Sequence, residues 1–326
     1  MSTFIIAEAG ANHNREFKKA IELIDVANQA GADAIKFQTY SSETLYSKFT
    51  PDFAGYTNIN KLIKDIELPR EWQKDLKQYC DEIGIEFMST PFDEKAVDEL
   101  VGLGVKRLKI AGFESTDFRF VDMVASSKLP LIISLGIGFQ MRWIGKLFDI
   151  TNKYGNDLTL LHCNNAYPTP LEDIDLNVIK ALSLDSRYKT GLSDHTVSTL
   201  TPALAVAAGA TVIEKHFTLD KTLPGPDHPF ALEPNQLVEM VQFVRQAELC
   251  LIPQRGEYSK SEEAFKQARR SVVAKSAIKK GEILTIDNIT TKRPFLDNSI
   301  PANKFENMLG SISNKDYNED EFICIK

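Results

Sequence analysis

Two histidines, two lysines and a group of hydroxyls and carboxylates carry the chemistry this sequence can offer. His195 and His216 are 21 residues apart (216 − 195), and each follows a short apolar run. If those runs are neighbouring strands, about 4.8 Å apart, both imidazoles can reach one metal ion. Two protein ligands are too few for a structural site, so open positions for water or substrate would follow. The alternative is one hydrogen-bonded core histidine and one general acid. Lys36 and Lys109 lie one or two residues from strand interiors, where an unpaired ammonium is costly, so each wants an anion. A protein carboxylate would serve. The hydroxyls of Thr90, Ser134 and Ser193, converging on the same face, point instead to the phosphate or carboxylate of a ligand. His13 follows Asn12 in a tight loop, where a histidine often faces solvent, and His162 fits packing and hydrogen bonding. His228, on the turn-rich Gly225-Pro226-Asp227-His228, is assigned no chemistry.

The elements that must position these groups are legible as eight apolar, β-branched runs: Phe4 to Ala7, Ala34 to Phe37, Ile85 to Met88, Arg107 to Ile110, Leu131 to Ser134, Leu158 to Leu161, Lys189 to Leu192 and Thr211 to Ile213. Amphipathic stretches lie between them. Phe17 to Ala30, with Ala20, Leu23, Ile24 and Ala27 on one face, is typical, and Gly31, Gly84, Gly104 and Gly209 stand where helix C-caps belong. Alternating β and α units imply a parallel sheet, and eight of them fit a closed (β/α)8 TIM barrel better than an open sheet. Active sites of such barrels sit at the C-terminal strand ends. That rule selects Glu8 with Asn12 and His13; Lys36 with Gln38; Ser89 and Thr90; Lys109 with Glu114; Ser134; His162, Asn164 and Asn165; Ser193, Asp194 and His195; and Glu214 with His216. Any one of these could merely cap a loop or helix; the set as a whole fits that reading poorly.

Composition narrows the function class. The 326 residues are 43% hydrophobic and 25% charged, which excludes wholesale disorder and leaves ample material for a core. A net charge of −7, from 38 basic and 45 acidic residues, argues against non-specific binding to nucleic acid or an anionic membrane. Cys80, Cys163, Cys250 and Cys324 lack metal or disulfide spacing, so reduced thiols in a cytoplasm are expected. The N-terminal residues do not read as an export signal, and no apolar run approaches the roughly 20 residues of a membrane span. After Leu251 the pattern changes. Ile252 to Arg270 is charged and helix-capable, and Ser271 to Ala274, Ile283-Leu284 and Phe322 to Ile325 are short apolar pieces. The expected division is a barrel over 1–252, a linker over 253–270 and a small domain over 271–326. A domain of about 55 residues is marginal alone and should lean on its own barrel or a partner's.

Several strings, in order, resemble the sialic acid synthase family. They are Ala7-Glu8-Ala9-Gly10-Ala11-Asn12-His13-Asn14, Lys36-Phe37-Gln38-Thr39, Ser89-Thr90-Pro91-Phe92, the run from Leu161 to Pro170, Gly191-Leu192-Ser193-Asp194-His195-Thr196, Glu214-Lys215-His216-Phe217 and Gly225-Pro226-Asp227-His228. Arg269-Arg270-Ser271, Ile278 to Glu282 and Lys292-Arg293-Pro294 resemble that family's C-terminal antifreeze-like (SAF) domain. The resemblance implies condensation of phosphoenolpyruvate with an open-chain N-acylated hexosamine of the N-acetylmannosamine type, releasing phosphate and forming a nine-carbon 2-keto acid. A pseudaminic or legionaminic acid synthase, using a 2,4-diacetamido-trideoxyhexose, is the alternative within the family. A divalent metal is implied, typically Mn²⁺, with Mg²⁺ or Co²⁺ as alternatives. Carried over by motif, Lys36, Thr90, Lys109, Ser134, Asn165 and Ser193 look like phosphoenolpyruvate contacts, and His195 and His216 like metal ligands. Glu8, Gln38, Glu114, Tyr167 and Asp227 resemble sugar-side and water-handling groups, with either Glu8 or Glu114 handling the water. The resemblance also implies a domain-swapped homodimer in which Arg293 reaches the partner's sugar site.

The chain departs from the family pattern at Gly112 and Phe113 before Glu114, at Leu135 and at Phe295. Gly112 lacks a hydroxyl the family usually has, Phe113 replaces a glycine, Leu135 replaces a threonine, and Phe295 stands where glycine is usual. Two readings from other classes are a metal-dependent pyruvate aldolase and a non-catalytic binding protein, since fold alone does not carry activity.

Overall fold

The computed structural model describes residues 2–53, 55–253, 256 and 258–324. Met1 and Ala54 of the expected barrel, Gln254, Arg255 and Glu257 of the expected linker, and Ile325 and Lys326 at the end of the expected small domain lie outside the described residues. The chain divides into two compact units, Met1–Ile252 and Pro253–Lys326.

All eight apolar runs of the first unit become strands: β1 Phe4–Glu8, β2 Ala34–Thr39, β3 Glu86–Pro91, β4 Leu108–Ile110, β5 Leu131–Leu135, β6 Leu158–Cys163, β7 Lys189–Asp194 and β8 Val212–His216. They are parallel and ordered β3-β2-β1-β8-β7-β6-β5-β4. Most strands run one to three residues beyond the apolar run into polar sequence, because the ladder continues there. Glu8 pairs with both Lys36 and His216, Gln38 with Thr90, and Ser193 with Glu214. β3 and β4 lie side by side without a ladder among the described residues, so the barrel has a seam. Arg107 bridges its lower end with a two-pronged pair to Glu86, at 2.7 and 3.2 Å. Pro91, which has no N–H to give, ends β3 on this unpaired edge.

Period-two alternation builds two cores. Residues pointing outward, such as Ile5, Ala7, Ile35, Phe37, Phe87 and Ile213, pack against helices such as Phe17–Gln29, whose buried face is Ala20, Leu23, Ile24 and Ala27. Inward-pointing Ile6, Ala34, Met88, Ile132, Leu161 and Val212 form a second, apolar layer across the barrel. Two residues further along each strand, on the same inward face, stand Glu8, Lys36, Thr90, Ser134, Cys163 and Glu214. An apolar floor therefore carries a polar layer one step nearer the strand C-termini.

In the second unit, β9 Ser271–Ala274 and β10 Ile289–Lys292 pair antiparallel. Val272, Ala274, Ile278, Leu284, Ile289, Tyr317 and Ile323 form its core. The stretch before it does not form the long helix its composition permits. The preceding helix, Pro234–Cys250, stops ahead of Pro253, which cannot continue it, and among the described residues between it and β9 the one helical piece is a short 3-10 helix, Glu263–Ala268.

Candidate active site

The polar layer is an interlocked set of charges. Lys36 Nζ lies 2.6 Å from Glu8 Oε2 and 3.7 Å from Glu214 Oε2, and it donates to Thr90 Oγ1 at 2.9 Å. Lys109 Nζ lies 3.5 Å from Glu214 Oε1 and donates to the Ile110 carbonyl at 3.1 Å. Ser193 Oγ donates to Glu214 Oε1, and Gln38 Nε2 to Glu8 Oε1, both at 3.1 Å. The anions facing the lysines are thus protein carboxylates, the first of the two possibilities their positions raised. Glu214, which the sequence placed at a strand end but gave no role, neutralises both lysines. Its position two residues before His216 on one strand, hence on the same face, is the signal that could have found it.

This set is not fully satisfied. Glu214 Oε2 and Ser134 Oγ are buried with no hydrogen-bond partner, and such groups are costly unless something completes them. Burial pushes the Glu8 carboxyl up to about 7 against the pull of Lys36. Burial would also raise Glu214, but Lys109 and Lys36 outweigh it and hold that carboxyl below its usual value. Burial lowers Lys109, whereas Glu214 and Glu8 together overcome the same cost at Lys36 and raise it. Near neutrality Glu8 therefore holds a proton part of the time, and Lys36, Lys109 and Glu214 then sum to one net positive charge. That is a field suited to an anion.

Above this layer sit the histidines. Their ring centroids are 5.4 Å apart. His195 Nδ1 is 2.6 Å from the Asn164 carbonyl and must donate to it, which leaves the Nε2 lone pair free. Burial lowers His195 to about 4 and drives His216 well below its usual value, so both rings are neutral at pH 7. His216 Nδ1 is buried with no hydrogen-bond partner, 4.0 Å from Asp227 Oδ2. Among the described residues no three His, Cys, Asp or Glu side chains converge as a metal cage. Two neutral imidazoles, one with an orphaned nitrogen and one with a free lone pair, fit a divalent cation that takes its other ligands from water or substrate. Tyr167 lies 4.3 Å, ring to ring, from His195, and Phe230 lies 5.1 Å from His216, so the pair has an aromatic wall.

Twelve of the residues singled out from the strand ends and motifs line one cavity: Glu8, Lys36, Gln38, Thr90, Lys109, Ser134, Asn165, Tyr167, Ser193, His195, Glu214 and His216. Ala111, Gly112, Phe113 and Cys163 line it as well. Glu114 lies one residue beyond the lining segment; its Oε2 is buried without a partner, and burial raises its carboxyl to about 7. Asp227 stands beside His216, with Ala11 N donating to Oδ2 at 3.2 Å. Arg293 belongs to the C-terminal unit, where it is exposed just past β10. A wider cleft lined by Arg15, Arg70 and Asp93 is already neutralised, Arg70 being engaged by Asp93 at 2.7 Å and Glu99 at 3.0 Å.

The departures separate by position. A Cβ at Gly112 would stand 2.9 Å from Asn165 Oδ1 and 3.0 Å from Gly136 Cα, so the absent hydroxyl has no space here without moving Asn165. Phe113 is 55% exposed at the cavity mouth. Leu135 points outward into the strand-helix core and does not line the cavity. Phe295 lies in the second unit beneath the Arg269 guanidinium, 4.4 Å from the ring centroid.

Comparison with known proteins agrees with this division. The NeuB family model matches residues 23–255 and the SAF domain model residues 269–324. The N,N'-diacetyllegionaminic acid synthase of Legionella pneumophila is 39% identical, across 95% of this chain and 90% of that protein. A pseudaminic acid synthase of Campylobacter jejuni is 36% identical, across 96% of this chain and 93% of that protein. The crystal structure of the N-acetylneuraminic acid synthetase from Leptospira borgpetersenii, bound to citrate, superposes with a TM-score of 0.75 at 34% identity, covering 81% of this chain and 90% of that one.

Proposed function

The chain belongs to the NeuB family, and from that premise we propose that it is a nonulosonic acid synthase. It condenses phosphoenolpyruvate with an N-acylated hexosamine of the N-acetylmannosamine type, releases phosphate and forms a nine-carbon 2-keto-3-deoxy acid. The observation that carries this reading is the polar layer: two buried lysines and the hydroxyls of Thr90, Ser134 and Ser193, with Ser134 unpartnered, set directly beneath two neutral imidazoles. In this reading residues 1–252 are the synthase domain, 253–270 the linker and 271–326 the SAF domain.

Lys36 and Lys109 neutralise the phosphate and carboxylate of phosphoenolpyruvate, while Thr90, Ser134, Ser193 and Asn165 fix its orientation. A divalent ion, Mn²⁺ by preference, held by His195 and His216, would polarise the aldehyde oxygen as a Lewis acid. Carbon C3 of the enol forms the new bond to the aldehyde carbon, and positive charge develops at C2. The former aldehyde oxygen takes up a proton to become a hydroxyl. Water adds at C2 and gives one proton to a carboxylate, and the C–O bond to phosphate then breaks as the remaining hydroxyl proton leaves with the phosphate, giving the ketone. We assign the proton given up by water to Glu114: its Oε2 is unpartnered and its carboxyl is raised to about 7. Glu8 is instead paired with Lys36 at 2.6 Å. Tyr167, Gln38 and Asp227 hold the sugar.

Phe113 favours a second acceptor. A largely exposed aromatic ring at the mouth suits the methyl end of a 2,4-diacetamido-trideoxyhexose better than a hydroxymethyl group. Phosphate release measured with N-acetylmannosamine, its diacetamido-trideoxy analogues and mannose decides between the two. Absence of release with every acceptor overturns the synthase reading in favour of a pyruvate aldolase or a binding protein.

We carry the domain-swapped dimer as part of the same proposal, with Arg293 of one chain serving the partner's sugar site. Arg293→Ala and His216→Ala proteins, each inactive alone, should regain up to about a quarter of wild-type activity when refolded together, since half the dimers are then mixed with one competent site each. No recovery in a verified mixed dimer removes Arg293 from the site. The four cysteines are free, in keeping with a reducing cytoplasm as the setting. Among the described residues no helix is long and apolar enough to cross a membrane.

A further inference from the structure

His228 is fully buried and takes no part in the cavity. Both of its ring nitrogens are nevertheless engaged. Nδ1 lies 2.7 Å from Thr218 Oγ1, and Nε2 lies 3.1 Å from Asn14 Oδ1. Thr218 follows β8 by two residues; Asn14 belongs to the loop after β1, where its φ of 49° and the 54° of Arg15 hold a tight reversal. In the neutral ring Nε2–H donates to Asn14, and the Thr218 hydroxyl donates to Nδ1 in preference to the more distant Asp220 carbonyl at 3.2 Å.

The turn that precedes His228 has little else to hold it. Residues 224–227 form bends without regular structure. Gly225 sits at φ +150°, and a Cβ there would stand 2.8 Å from His228 Cδ2, so the turn wraps directly over the imidazole. Asp227, the last residue of the same turn and the one directly before His228, is pinned to the β1 loop by Ala11 N and faces His216. The β1 loop is tied back in its turn, Asn12 Nδ2 donating to the Phe217 carbonyl at 2.7 Å.

We propose that His228 is a positioning residue, a latch between Thr218 and Asn14 that holds the 224–227 turn over the barrel mouth and so sets the Asp227 carboxylate for the acceptor sugar. This deepens the function proposed above and rests on it. The latch lies on the sugar side of the site and does not touch the lysines or hydroxyls of the anion layer. Its loss should therefore split the two substrates, which a general structural weakness would not do.

The test is steady-state kinetics on full-length His228→Ala, His228→Asn, Thr218→Val and Asp227→Asn, with calorimetric titration of phosphoenolpyruvate. The acceptor is N-acetylmannosamine or the diacetamido-trideoxy sugar, whichever releases phosphate. The expected result for His228→Ala is an acceptor KM raised about tenfold or more, as for a misplaced binding group, with phosphoenolpyruvate affinity unchanged and faster hydrogen exchange over 222–229. Thr218→Val should show the same split more weakly, and it keeps the proposal testable if His228→Ala fails to fold. His228→Asn, which retains an amide near the Nδ1 position, should recover part of the acceptor KM. An unchanged acceptor KM in a folded His228→Ala, or equal losses for both substrates, would overturn the latch. A raised acceptor KM in His228→Ala with none in Asp227→Asn would refute the sugar role of Asp227 and leave the latch acting on the turn alone.

Discussion

The first unit buries two lysine-carboxylate pairs of almost equal length on opposite faces of the same sheet, and they are built for different ends. Lys215, facing outward on β8, lies 2.7 Å from Asp194 Oδ2 and also donates to the carbonyl and hydroxyl of Thr196. Asp194 Oδ1 accepts from Thr196 N at 2.8 Å, so both carboxylate oxygens are occupied. Lys36, facing inward on β2, lies 2.6 Å from Glu8 Oε2 and 3.7 Å from Glu214 Oε2, yet in the layer around it Glu214 Oε2 and Ser134 Oγ have no hydrogen-bond partner and the Glu8 carboxyl sits near 7. A satisfied pair fixes a turn, here the one carrying His195. A pair set in a layer that still holds unsatisfied atoms, here Glu214 Oε2 and Ser134 Oγ, is poised to exchange a protein carboxylate for a ligand anion.

The largest effect should come from the groups above the inner layer. His195→Ala or His216→Ala removes one of two imidazoles and should abolish metal-dependent turnover, with calorimetry showing lost metal binding and circular dichroism an intact fold. Full activity with stoichiometric metal in either variant would dissolve the pairing.

Next come the lysines themselves, where the two faces should part. Lys215→Met leaves Asp194 buried and unpaired and should cost about 3–5 kcal/mol of stability, seen as a lowered denaturation midpoint. The folded fraction should bind phosphoenolpyruvate normally. Lys36→Ala or Lys109→Ala should instead cost about 2–5 kcal/mol of phosphoenolpyruvate binding and less stability, because Glu8 can take up a proton. Unchanged phosphoenolpyruvate affinity would reassign the inner lysines to structure.

Legibility in the sequence divides along the same lines. Eight strands were visible because outward and inward apolar residues made continuous runs, such as Leu131 to Ser134. Their C-terminal limits were not visible, since Glu8, Gln38 and His216 are polar and read as loop, although the parallel ladder reaches them. Lys36, Lys109 and the two histidines stood out because their types are conspicuous at strand ends. Glu214 was placed at a strand end but given no role, because its partners Lys36, Lys109 and Ser193 come from other strands and only the fold brings them together. The role of His228 depends on Asn14, 214 residues away in sequence, and no local pattern encodes that contact.

A smaller effect sharpens the account of Glu8. Its folded value, near 7, lies above the ordinary 4.5, so at pH 8 it is mostly ionised. An arriving anion raises that value further. Phosphoenolpyruvate binding at pH 8 should then take up a fraction of a proton, approaching about one, measured by calorimetry in buffers of different ionisation enthalpy. Glu8→Gln should bind without uptake. Smallest is the change in the pH profile of the unaltered protein: with Glu114 near 7 and acting as base, kcat should rise with pH through about 7, and Glu114→Gln should lack that limb.

The central claim is that the inner layer joins phosphoenolpyruvate to an aldose. Phosphoenolpyruvate labelled with ¹³C at C2, mixed with enzyme, metal and the acceptor, tests it directly by carbon and phosphorus NMR. The account predicts that the enol carbon signal is replaced by that of a hemiketal carbon while inorganic phosphate appears in equal amount, and that neither change occurs without acceptor. Labelled pyruvate as the product, or phosphate released at the same rate with no acceptor present, would contradict it.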